Sequence, residues 1–106
     1  MEEKLQKIEA LFVKYGAVPT SLDEANRVRF GDRVIFERSG CYIRAGVAAF
    51  AGQPFLTLSS IDQLKFAELG MLEDVDALPV DCPDERLEQA VRYALGVEPY
   101  PEVYPS

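Results

Sequence analysis

The chain reads as an α+β domain in which an N-terminal helix and two C-terminal helices pack on a three-stranded antiparallel meander. Three observations predict this: apolar residues recur at helical spacing over 3–15 and 87–95, the period falls to two between 29 and 59, and glycines stand where the periodic runs stop. A single domain over 1–96 is expected, followed by an extended tail, 97–106, stiffened by its prolines. With 106 residues, 48% of them hydrophobic, the chain is too short for two cores and too apolar for a disordered segment.

The first helix gathers Leu5, Ile8, Leu11, Phe12 and Tyr15 on one face and turns Lys4, Lys7 and Lys14 outward, with Gly16 as its stop. After Pro19, Ser21-Leu22-Asp23-Glu24 has the form of a capping box opening a helix of one or two turns.

The segments RVIFER, CYIRAGVAAF and PFLTLSS then alternate, separated by the turns Ser39-Gly40 and Gly52-Gln53. Two-residue turns there pair Phe36 with Ile43, Val34 with Ala45, Ala49 with Leu56 and Val47 with Leu58, all on one face. Cys41 falls on that inner face as a small buried residue. The outer face carries Ile35, Glu37, Tyr42, Arg44, Gly46, Ala48, Phe50, Phe55 and Thr57, too apolar to be fully solvated. A helix or the tail covers it, or it meets a partner.

Ser60-Ile61-Asp62-Gln63 reads as a second capping box starting a helix that runs to Leu69 and closes at Gly70. Residues 71–82 form an acidic connector of mostly irregular structure with room for one short strand. Pro83 takes the first position of the last helix, whose buried stripe is Leu87, Ala90, Val91, Ala94 and Leu95, and Gly96 ends it.

The chain has no histidine and only two cysteines, Cys41 and Cys82, with no CxxC pair. Imidazole-based nucleophilic machinery, thiolate zinc sites and thioredoxin-like chemistry therefore lack their residues. Glu73-Asp74-Val75-Asp76 lacks the spacing and central glycine of an EF-hand loop, and no glycine pattern cradles a phosphate. No catalytic residue, metal or cofactor is assigned. Cys82, near a helix start but surrounded by Asp81, Asp84 and Glu85, reads as a junction filler rather than a reactive thiol.

Net charge is −7, but its placement is uneven. Residues 1–60 hold eight basic and seven acidic side chains, whereas 61–106 hold three and eleven. The expected role is a non-enzymatic interaction module, of inhibitor, immunity or chaperone-like character, meeting a basic protein through Glu73, Asp74, Asp76, Asp84, Glu85 and Glu88. The bland counterpart is a solubilising exterior with acids at helix starts.

Two other readings stand beside it. One is a small-molecule or enzymatic pocket between sheet and helices lined by Tyr42, Phe50, Phe55 and Arg44; the other is a homodimer that buries the two phenylalanines. Arg27, Arg29, Arg33, Arg38 and Arg44 are interleaved with aromatics, yet the overall field repels phosphate, so nucleic acid is not an expected partner. No apolar run is long enough to span a membrane. Taken as a complete chain, it reads as cytoplasmic with reduced thiols.

Overall fold

The computed structural model describes residues 2–20 and 34–98. The capping box at 21–24, Arg27, Arg29, Arg33 and the tail from 99 onward lie outside the described residues. Eight elements follow in order: α1 (Glu2–Lys14), β1 (Val18–Thr20), β2 (Ile35–Arg38), β3 (Cys41–Phe50), β4 (Gln53–Asp62), α2 (Gln63–Leu69), β5 (Glu73–Pro79) and α3 (Asp84–Ala94). The fold is α+β, with an N-terminal helix, an antiparallel sheet ordered β1-β2-β3-β4-β5 and two C-terminal helices.

The sheet has five strands, not three. Val18-Pro19-Thr20 is too short to show a period, and its proline is tolerated because β1 lies at the sheet edge. Read as a connector, β5 hides its strand character because both its faces are largely wet and only Leu78 is buried. A register shift opposite Leu58/Ser59 also interrupts its alternation: Asp76 faces Leu58 and Asp74 faces Ser59, leaving Val75 as the extra residue.

The β2–β3 pairing Phe36↔Ile43 is as expected, while Val34 precedes the strand and is exposed. In the long hairpin the turn sits at Ala51-Gly52 rather than Gly52-Gln53, so Val47 pairs with Leu56 and Ala45 with Leu58. Moving the turn by one residue shifts each partner by two. An even shift keeps every side chain on its face, and the hydrophobic pattern alone does not register it. Both tight turns adopt positive φ at their two central residues, Ser39 and Gly40, then Ala51 and Gly52.

The main core lies on one sheet face, where α1 contributes Leu5, Ile8 and Phe12 and α3 contributes Leu87, Ala90 and Val91. They close over Phe36, Ile43, Leu56, Leu58 and Leu78, and the Phe12 and Phe36 rings meet edge-on at 5.3 Å. Each large aliphatic side chain buried there contributes about 1.5–3 kcal/mol of transfer free energy.

The three helices among the described residues do not share a face. A second cluster on the opposite side joins Ile35, Ile61 and Leu72 to Tyr42 and to Phe66 of α2, with the Tyr42 and Phe66 rings 5.0 Å apart. The cap of α2 is Asp62, not Ser60: its carboxylate accepts from the Lys65 amide at 2.8 Å, while Ser60 and Ile61 still pair with β3. Gly70, in the left-handed region, ends α2 as expected. Pro83 caps α3 one position before its first helical residue.

Candidate functional site

The packing of α1 against α3 decides what becomes of many charges. Lysines spaced along α1 face the acidic first half of α3, so Lys7 reaches Asp84 at 3.4 Å and Lys14 reaches Glu88 at 3.1 Å. Lys4 donates instead to the Cys82 carbonyl at 2.6 Å. Lys7 and Lys14 are exposed, as their place opposite the apolar stripe implies, and still bridge the two helices.

Glu88 is the centre of the most connected group. It accepts from the Tyr15 hydroxyl at 2.6 Å and from Lys14, and Arg92 stands 3.6 Å away one helical turn on. Hydrogen bonds from Tyr15 and then Lys14 hold the Glu88 carboxyl below its ordinary range, and the Glu88 contact raises the Lys14 ammonium. The only sequence signal for this was that Tyr15 closes the α1 stripe. Arg38, too, was read simply as part of a basic concentration. It donates to the carbonyls of Tyr15 at 3.0 Å and Leu95 at 2.8 Å, tying the ends of α1 and α3 together.

The remaining candidate acids lie along β5 and at the start of α3. Asp76 accepts from Arg86 at 3.2 Å, and its side chain is only 20% exposed. Asp74 accepts from the Ser59 hydroxyl at 2.6 Å. Glu73 pairs with Lys65 at 3.6 Å, both side chains about half exposed. Asp81 and Glu85 are exposed and have no ion pair among the described residues. The six candidates therefore divide into Asp76 and Glu88, which are drawn into the fold, and Glu73, Asp74, Asp84 and Glu85, which stay at the surface.

Tyr42, Arg44, Phe50 and Phe55 share a sheet face but not a site. Tyr42 belongs to the α2 cluster, whereas Phe50 and Phe55 stack edge-on at 5.6 Å near the far end of the hairpin. Phe50 lies eight positions along the extended strand from Tyr42, roughly 26 Å. α2 covers the Tyr42 end; Phe50 is 48% exposed.

A cavity of about 150 Å³ lies between the Tyr42 end of the sheet and the end of α3, lined by Arg38, Cys41, Ser60, Tyr93 and Leu95 among others; of the four predicted pocket residues, Tyr42 lines it and Arg44, Phe50 and Phe55 do not. A shallower groove of about 310 Å³ runs between α1 and α3 over Ala10, Leu11 and Leu87, and the Lys7–Asp84 and Lys14–Glu88 pairs line it. Cys41 is exposed, contrary to its expected burial: it opens β3 at the sheet's end, opposite Asp62, and lines the open cavity beside the end of α3 rather than the packed core. Cys82 is buried, as a junction filler should be.

Among the described residues, no group of three or more Cys, Asp or Glu side chains is arranged to hold a metal ion, and no helix is long and apolar enough to cross a membrane. Comparison with protein-family models, curated proteins and solved structures gave no match.

Proposed function

We propose that this domain is a non-enzymatic interaction module that meets a basic segment of another protein through exposed acidic side chains of β5, on the α2 side, and of the start of α3, on the α1 side. The contacting groups are Glu73, Asp74, Asp84 and Glu85, while Asp76 and Glu88 hold the framework behind them. The observation that carries this reading is the exposure of the pairs Lys7–Asp84 and Lys65–Glu73, all four side chains being at least half exposed. Exposed pairs of this kind contribute little to stability, so a partner's cations can replace the internal ones at small cost.

The test uses a Lys/Arg-rich peptide as probe and measures its association rate over a range of salt concentrations. The triple substitution Glu73→Lys, Asp74→Lys, Glu85→Lys should slow association most at low salt, with the helical and sheet signals retained. An association rate equal to that of the unaltered protein would remove the acidic surface as the docking site.

A further inference from the structure

We infer that Asp76 is an edge guard, which together with Pro79 leaves the second half of β5 without a main-chain donor and so closes that edge of the sheet to strand addition. The Ala77 amide donates to Asp76 Oδ1 at 2.9 Å. An amide engaged with its own strand neighbour does not serve the β4 ladder, so Ala77, opposite Thr57, turns its main-chain groups outward. In an antiparallel pair the outward positions recur every second residue. The next is Pro79, which has no N–H to offer.

Asp76 and Leu78, opposite Leu58 and Leu56, are then the residues whose amides point into the ladder. Over Asp76–Pro79 the outward groups are then the carbonyls of Ala77 and Pro79, and the Pro79 carbonyl already accepts from the Cys82 amide at 3.1 Å. The extra residue Val75 interrupts the ladder just before this stretch, so an added strand would lose its register as well as its donors. The guard is fixed in place, because Arg86 of α3 holds the same carboxylate at 3.2 and 3.5 Å. An edge strand with exposed backbone is a template for a second copy of the chain. Here the template is masked by one side chain and one imino acid. The inference does not depend on a basic partner.

The experiment pairs amide exchange with sedimentation. Asp76→Ala should speed exchange at Ala77 roughly five- to tenfold, whereas Asp76→Asn, which keeps an acceptor oxygen, should change it much less. The double variant Asp76→Ala/Pro79→Ala restores both outward donors and should self-associate with concentration, its β5 amides becoming protected in the associated form. Glu73→Ala/Pro79→Ala carries the same change in charge but keeps the Ala77 amide covered, and should sediment as the unaltered protein does. Equal association by the two double variants would overturn the proposal, because charge and not donor supply would then be in control. So would unchanged Ala77 exchange in Asp76→Ala, a readout that stands even where a double variant fails to fold.

Discussion

The Tyr15 hydroxyl donates to Glu88 Oε1 at 2.6 Å, joining the end of α1 to the middle of α3 across a sequence separation of 73 residues. Lys14 reaches the same oxygen, so one carboxylate fastens two helices that elsewhere meet through apolar contacts and the exposed Lys7–Asp84 pair. This carboxyl titrates below its ordinary range in the folded protein, with the Tyr15 hydrogen bond the largest cause. A depressed carboxyl contributes stability above its unfolded pKa of about 4.3 and loses it as pH falls through the folded value. Tyr15→Phe and Glu88→Gln should each flatten the acid limb of the stability curve. Urea midpoints measured from pH 6 downward check this, and an acid limb identical to that of the unaltered protein in Tyr15→Phe would contradict it.

Phe12 is wholly buried and meets Phe36 edge-on in the middle of the helix–sheet core. Phe12→Ala should cost about 3–5 kcal/mol, combining lost transfer energy with the cavity left under α1. Equilibrium denaturation gives the value directly. Val13, the next residue, is 55% exposed, and Val13→Ala should change stability by less than about 0.5 kcal/mol.

Asp62 and Ser60 separate a true helix cap from an apparent one. Asp62→Ala should destabilise by about 1 kcal/mol, with the loss concentrated in α2 and the Tyr42–Phe66 cluster beneath it. Ser60→Ala should stay within about 0.5 kcal/mol, since no capping bond is removed. Thermal unfolding followed by tyrosine fluorescence compares the two, and equal losses would return the cap to Ser60.

Ala51 holds φ at 53° in the long hairpin's turn, a conformation in which its Cβ is crowded. Ala51→Asn should stabilise the domain by about 0.5–1 kcal/mol, because asparagine before Gly52 suits this turn. A rise in the denaturation midpoint with an unchanged denaturant slope is the expected result. Ala51→Val, branched at the same φ, should lower it.

Free thiols give a direct check on the two cysteines. Cys41 should react with a thiol reagent in the native protein, while buried Cys82 should react on the timescale of unfolding. Equal native rates would contradict the described burial.

Features that depend on neighbours a few positions apart were legible in the residues alone. The apolar stripe of α1 was legible because Leu5, Ile8 and Phe12 recur at helical spacing, and Gly70 ended α2 because the left-handed turn there asks for glycine. The inner and outer faces of the long hairpin were legible as well, since side chains alternate whatever the partner. Tertiary structure alone decided the rest: the two-residue shift in that hairpin, the pairing of wet, acidic β5 with β4, the exposure of Cys41 at the sheet's end, and the division of six acids into four at the surface and two drawn inward. Periodicity reports which face a residue takes, but not which distant residue it meets. Glu88 is a surface carboxylate in sequence and a helix fastening in space because Tyr15 and Lys14 arrive from the other end of the chain.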